Sequence, residues 1–153
     1  MSKPRAEVIN AYVAAVVRVL RSSLNEEAKL AALQVTRSLD PAPSIAVTIE
    51  LTGGLKGPVT WVFSPDMARH VANTLLMQED APQEVFPDAV AELSNIVAGQ
   101  ATGPLVEAGY TVDIHPPIIH DNCREPLDGD TVVVTVTSPS GNVRIFFGLE
   151  AAA

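Results

Sequence analysis

The hydrophobic pattern of the chain switches between the period of a helix and the period of a strand. Residues 6–24 carry apolar side chains three and four positions apart, which predicts a helix with one buried side. Residues 29–37 and 45–51 then alternate apolar and polar positions, and the turn residues between them predict that these two strands pair as an antiparallel hairpin. A glycine-rich turn follows, and residues 59–63 predict a third strand.

The second half of the chain is predicted to form two helices and three further strands. The sequence Ser-Pro-Asp at residues 64–66 is typical of a helix start, because serine caps free backbone donors and proline suits the first helical position. A longer helix is predicted over residues 84–108, with a kink or break at residues 103–104, because the proline there removes a helical hydrogen bond. The three strands are predicted over residues 111–119, 131–137 and 143–149.

This order of elements predicts a single α+β domain over residues 1–153. A helix and three strands are followed by two helices and three strands, which favours a largely antiparallel six-stranded sheet packed against three helices. A doubly wound parallel sheet would instead alternate strands and helices. With 153 residues, of which 47% are apolar, the chain is long enough to bury one core.

Composition and charge exclude several classes of function. The chain has 18 acidic and 10 basic side chains and no cluster of lysine or arginine, so a nucleic-acid partner is not expected. A single cysteine, Cys123, excludes an intrachain disulfide and favours a protein of the reducing cytoplasm. The apolar run at residues 13–17 is far shorter than the roughly 20 residues of a membrane span, so we expect a soluble protein.

The candidate chemistry lies on the long helix, in a stripe formed by Asp88, Glu92, Asn95 and Gly99. These residues are spaced 4, 3 and 4 positions apart and therefore share a sector of about 60° of the helix circumference. The opposite side of the helix is apolar, so this stripe presents a carboxylate and an amide to solvent. Gly99 leaves room for another backbone to approach. By spacing alone, the same four residues also fit an ordinary solvated helix side.

The run DAVAELSNIVAG, residues 88–99, resembles the signature of the CheC and CheX phosphatases of bacterial chemotaxis. That signature is an acidic or serine residue, then E-x-x-N, then a glycine, and Pro116 and Pro117 fall where the family has a further proline. The strand, glycine turn, strand and helix start at residues 51–65 are also similar to the family. CheC-like members usually carry E-x-x-N twice, whereas the helix at residues 64–71 lacks it, so the resemblance is to the CheX type.

The resemblance implies a CheC-like fold and a phosphatase that acts on the aspartyl phosphate of a CheY-like response-regulator receiver. Asn95 would orient the attacking water, since phosphoryl transfer depends mainly on positioning and electrostatics, and Glu92 would pair with the receiver's lysine. Asp88 and Gly99 would contact the partner. The receiver would supply Mg²⁺, so the chain needs no cofactor of its own. Resemblance to CheX also implies a homodimer, which we expect to form through edges of the last strands.

Two alternatives remain from the sequence. The first is a non-catalytic CheC-like adaptor that binds a receiver or the flagellar switch, although the intact Glu92 and Asn95 favour catalysis. The second is a small metal-binding domain that uses His115, His120 and Cys123. We favour a polar strand end and loop over a metal site, because these ligand atoms lie on an irregular segment and no C-x2-C pair accompanies them.

Overall fold

The computed structural model describes residues 6–38, 45–121 and 126–151. Within these ranges the chain forms three α-helices, one short 3₁₀ turn at Gln83–Val85 and eight strands. The helices are α1 (Ala6–Leu24), α2 (Pro65–Leu75) and α3 (Phe86–Glu107). The strands are β1 (Lys29–Ser38), β2 (Ile45–Gly53), β3 (Leu55–Phe63), β4 (Val112–Ile114), β5 (Ile118–Asp121), β6 (Pro126–Ser138), β7 (Gly141–Phe147) and β8 (Glu150–Ala151).

The strands form one sheet in the order β1-β6-β7-β3-β2-β4, with β5 also paired to β2 and β8 paired to β3. Every pairing is antiparallel. Alternate residues of the central strands are buried together with apolar residues of all three helices, so the main core lies on one side of the sheet. The predicted α+β class, a largely antiparallel sheet packed against three helices, is confirmed.

The predicted hairpin between the first two strands is wrong, because β1 pairs with β6 instead of β2. Both sides of β2 are occupied, by β3 on one side and by β4 and β5 on the other. The burial of the strands explains this arrangement. Most positions of β2 are buried or half-buried, as suits an interior strand, whereas most described positions of β1 are exposed, as suits an edge.

The strand predicted over residues 111–119 is divided into β4 and β5. Pro116 and Pro117 lie between them and have no backbone N–H to donate to a ladder. Strand β4 therefore pairs with the end of β2, and β5 pairs with its beginning. Together with the short β8, this division raises the number of strands above the six that were predicted.

Of the kink or break predicted at Gly103 and Pro104, the break is wrong, because α3 continues through both residues to Glu107. A residue before proline is normally pushed out of the helical region by its Cβ, and glycine has no Cβ. After the proline the helical bonding resumes, since the amide of Ala108 donates to the carbonyl of Pro104 at 3.0 Å. Leu105 is buried in the core and holds the last turn in place.

The start of α2 is formed as predicted, and the same serine also contacts the β6–β7 hairpin. Ser64 Oγ accepts hydrogen bonds from the amide of Met67, at 3.3 Å, and from the amide of Asn142, at 3.2 Å. One hydroxyl therefore caps α2 and fixes its position on the sheet.

Glu26, in the segment after α1, anchors the turn between β6 and β7. Its Oε1 accepts hydrogen bonds from Ser138 Oγ at 3.0 Å and from the amide of Ser140 at 3.1 Å. Burial raises the pKa of Glu26, but the hydrogen bonds from Ser140 and Ser138 outweigh it, so the pKa of this carboxyl lies below its ordinary value.

Replacing Glu26 by glutamine should lower the free energy of unfolding at neutral pH by about 1 kcal/mol, because an amide accepts hydrogen bonds more weakly than a carboxylate. A carboxyl group with a lowered pKa in the folded chain stabilises the fold above its unfolded pKa. That contribution is lost as the pH falls through the folded pKa. The difference in Tm between wild type and Glu26→Gln, followed by circular dichroism, should therefore narrow in acid.

Glu27→Gln is the matched control. The Glu27 carboxylate pairs with Arg21 at 3.0 Å on the exposed surface, where ion pairs contribute little to stability. Its Tm should stay close to that of wild type at every pH. A Tm difference for Glu26→Gln that is equally large at neutral and acid pH would contradict the anchoring role of the carboxylate.

Candidate active site

Helix α3 carries the candidate stripe because its other side is held in the core. Val90, Leu93 and Val97 are at most 2% exposed and fix the rotation of the helix about its axis. Asp88, Glu92, Asn95 and Gly99 are all exposed, on the side that the spacing predicts. The structure thus brings the four residues together on one open surface, while their roles stay predictions.

The polar groups of the stripe are available to a partner. Over the described ranges, neither Glu92 nor Asn95 has a hydrogen-bond or ion-pair partner within the chain. The carboxylate of Asp88 lies in the first turn of α3, where it also stabilises the positive end of the helix dipole. Helix α3 contains no lysine or arginine, so its exposed side is acidic. A partner that presents a cation therefore suits this surface.

Gly99 is not required by packing inside the chain. A Cβ built at this position would have no neighbouring heavy atom within 4 Å, and the backbone there is ordinary helix. Glycine within a helix costs about 1 kcal/mol relative to alanine. The bare backbone at Gly99 therefore weakens the helix without any gain in internal packing.

Ser94, between Glu92 and Asn95 along the chain, points away from the stripe into the core. It is fully buried, and its Oγ donates a hydrogen bond to the carbonyl of Val90 at 2.8 Å. Sequence reasoning did not single it out, because a serine beside a polar stripe looks like part of the solvated side. The helical period was the available signal, since it places residue 94 on the same side as Val90 and Val97.

The two histidines of the alternative metal site have threonine partners. Nε2 of His115 lies 3.1 Å from Thr52 Oγ1, and Nε2 of His120 lies 3.0 Å from Thr48 Oγ1. In the part of the chain that the structure describes, no three histidine, cysteine, aspartate or glutamate side chains are grouped to hold a metal ion. Cys123 lies outside the described residues.

The fold is that of the CheC-like proteins. A CheC-like superfamily protein from Shewanella sp. PV-4 superimposes with a TM-score of 0.79 at 24% identity, covering 97% of this chain and 100% of that protein. A chain of the CheX–CheY–BeF3–Mg²⁺ complex from Borrelia burgdorferi superimposes with a TM-score of 0.75 at 22% identity, covering 95% of this chain and 99% of that one.

A more specific relationship follows from the sequence. The model of the family described as "Chemotaxis phosphatase CheX" matches residues 45–137, which include the whole stripe, and the chain belongs to this family. The CheY-P phosphatase CheX of Thermotoga maritima is 28% identical over 116 residues, which cover 74% of this chain and 75% of that relative. The resemblance stated from the sequence is therefore confirmed. No helix among the described residues is long and apolar enough to cross a membrane.

Proposed function

We propose that this chain is a phosphatase that hydrolyses the aspartyl phosphate on the receiver domain of a phosphorylated, CheY-like response regulator. Membership of the CheX family supports the proposal, as does the Thermotoga relative named a CheY-P phosphatase. The observation that carries it is the unpartnered amide of Asn95, one turn from Glu92 on the exposed side of α3. A helix surface of this kind can enter the phosphorylated pocket of another protein.

Asn95 orients the water that attacks the phosphorus atom. Water forms the new P–O bond, the bond between phosphorus and the receiver's aspartate breaks, and the products are inorganic phosphate and the free carboxylate. Transition states of phosphoryl transfer are loose, so positioning a water in line contributes more than activating it with a base. An amide both donates and accepts hydrogen bonds, which suits this task. Orientation worth about 3 kcal/mol corresponds to roughly a hundredfold in rate.

Glu92 fixes the register of the complex by pairing with the receiver's active-site lysine. A carboxylate is a poor base beside a phosphoryl group because the two negative charges repel, whereas a charge-assisted bond to an ammonium is favourable. Asp88 adds negative charge at one end of the stripe, and Gly99 lets the receiver approach the helix backbone at the other end. The Mg²⁺ that neutralises the phosphoryl oxygens belongs to the receiver, and the chain contributes no cofactor of its own. Both proteins act in the cytoplasm.

We also propose that the chain forms a homodimer, although the predicted contact through the last strands needs correction. Strand β7 is paired on both sides, and β6 is paired on both sides from Val132 to Thr137, so these edges are occupied. Strand β1 is an outer strand and exposes Leu30, Leu33 and Val35, each close to half exposed. An apolar outer strand favours association with a second copy.

The alternative is a non-catalytic adaptor that binds a receiver or the flagellar switch. An adaptor needs the surface of α3 but not a water-orienting amide. Hydrolysis and binding therefore have to be measured separately.

Replacing Asn95 by alanine should separate hydrolysis from binding. The exposed amide has no partner within the described chain, so the free energy of unfolding should change by less than about 1 kcal/mol. The rate at which the protein accelerates loss of phosphate from phosphorylated receivers should fall by about a hundredfold, while the Kd for the receiver in its phosphorylated form is largely kept. Receiver dephosphorylation and complex formation are measured on the same preparations.

Glu92→Lys is the matched variant on the neighbouring turn. It places a cation opposite the receiver's lysine, so binding should weaken while the fold, with this residue exposed, stays intact. Full dephosphorylation by Asn95→Ala would exclude the proposed mechanism. Binding of wild-type chain to phosphorylated receiver without any acceleration of phosphate loss would instead favour the adaptor.

Replacing Gly99 by alanine should move stability and binding in opposite directions. The added methyl meets no atom of the chain, so the free energy of unfolding should rise by about 0.5–1 kcal/mol. In the proposed complex the receiver approaches the helix backbone at Gly99, so the added methyl should weaken complex formation. Gly109→Ala is the control, because its methyl also meets open space but its backbone φ of +101° makes alanine strained, and its Tm should fall. If Gly99→Ala binds the receiver as tightly as wild type does, Gly99 is not part of the interface.

A further inference from the structure

Val106, near the end of α3, is an exposed apolar residue on the same side of the helix as the candidate site. It follows Asp88 by 18 residues, which is about five turns of 3.6 residues, so the two residues lie on one side of the helix. Val106 is 55% exposed. Single exposed valines are ordinary on protein surfaces, but this one shares its helix side with Glu92 and Asn95.

The outward positions between Asn95 and Val106 are occupied by Gly99 and Gly103. Both glycines are exposed, and a Cβ built at either one would meet no heavy atom within 4 Å. Gly103 is accounted for within the chain, because it avoids part of the clash with Pro104, but it also leaves the helix backbone open. A partner that covers Asn95 can therefore follow the helix surface as far as Val106.

This second half of the exposed side is uncharged, in contrast to the first. Residues 93–106 include no ionisable side chain. The polar side chains on its two flanks already have partners within the chain. Gln100 Oε1 accepts a hydrogen bond from Arg18 at 3.4 Å, and Thr102 Oγ1 donates one to the carbonyl of Ala98 at 2.9 Å. This half therefore offers an apolar contact next to the carboxylate and amide of the first half.

The size of a stable protein interface makes a single partner cover the whole exposed side. From Asp88 to Val106 this side is about 27 Å long, at about 1.5 Å per residue. A standard interface buries about 800 Å² on each partner, which corresponds to a disc roughly 32 Å across. A disc centred midway, close to Asn95 and Gly99, reaches both ends. The end of the helix is also held in place, because Leu105, next to Val106, is 1% exposed.

We propose that Val106 contacts the receiver domain whose phosphorylated pocket receives Asn95, and the identity of this partner rests on the proposed function. In doubly wound α/β proteins, a class that includes CheY-like receivers, ligand sites lie at the carboxyl ends of the strands, beside the loops that lead into the helices. With Asn95 in that site, α3 passes over these loops, and Val106 packs on an apolar side chain of one of them. The contact does not involve the phosphoryl group, so it stabilises the complexes with phosphorylated and unphosphorylated receiver alike.

Replacing Val106 by serine should raise the Kd for a CheY-like receiver about fivefold, because serine lacks the apolar area that a half-exposed valine can still bury. The ratio of the two Kd values should be the same for phosphorylated and unphosphorylated receiver. It should also be the same at low and high salt, because an apolar contact is not screened. In receiver dephosphorylation, KM should rise while kcat is kept. Val106→Leu restores an apolar side chain and should bind like wild type.

Ile118→Ser is the matched control. Ile118 is 56% exposed, but it lies opposite Thr48, whose neighbours Val47 and Ile49 are buried in the core on the helix side. Ile118 therefore points to the other face of the sheet, away from α3. This variant should keep the wild-type Kd and KM. Both substituted positions are exposed, so both variants should fold with a Tm near that of wild type.

Receiver binding by Val106→Ser as tight as that of wild type would overturn the contact, as would a change in Kd confined to the phosphorylated receiver. A wild-type chain that binds receivers without hydrolysis would refute the phosphatase, and the ratio of Kd values would still decide the contact at Val106. A wild-type chain that binds no receiver in either state would refute both proposals.

Discussion

The burial of one side of α3 is the constraint on which the candidate site depends. Val90, Leu93, Val97, Ala101 and Leu105 are each at most 2% exposed, and they recur at the spacing of a single helix side. Burying a large apolar side chain contributes about 1.5–3 kcal/mol, so together these contacts far outweigh the hydrogen bond that Pro104 removes. Because core packing keeps this side of the helix buried, the opposite side stays exposed to solvent. The exposure of Glu92 and Asn95 is thus a consequence of core packing.

The sheet shows where sequence patterns stop being informative. Alternation of apolar and polar residues located the long strands and predicted which side chains share a face, because both depend only on the period of the strand. Strand neighbours depend on which edges remain available in three dimensions, and here β2 lies between β3, which follows it directly, and β4 and β5, which follow only after two helices. The hairpin between β1 and β2 therefore could not be excluded locally. The division at Pro116 and Pro117, by contrast, was readable from the missing backbone donors.

The site divides in the same way. The exposure of the stripe from Asp88 to Gly99 could be predicted, because helical spacing determines which residues share a side, and the family motif predicts which of them take part in chemistry. The burial of Ser94 was missed, because serine is usually solvated, although the helical spacing places it on the same side as Val90 and Val97. Pro104 is an intermediate case, because the residue before it, Gly103, has no Cβ and so avoids part of the clash that normally keeps proline out of a helix. The rule that proline breaks a helix therefore failed where the neighbouring glycine removed part of the steric clash.

The residues of the stripe contribute little to the stability of the chain that carries them. Glu92 and Asn95 have no partner in the described structure, and Gly99 weakens the helix without making room for any internal contact. At each of these positions, another residue would favour the helix more strongly or be equally well solvated. Folding alone therefore does not explain why Glu92, Asn95 and Gly99 follow one another at intervals of about one helical turn. Positions that break local rules without internal compensation are typical of functional surfaces. On the buried side of α3, by contrast, the side chains are packed or hydrogen-bonded within the core, and this packing holds the exposed side of the helix in one fixed orientation.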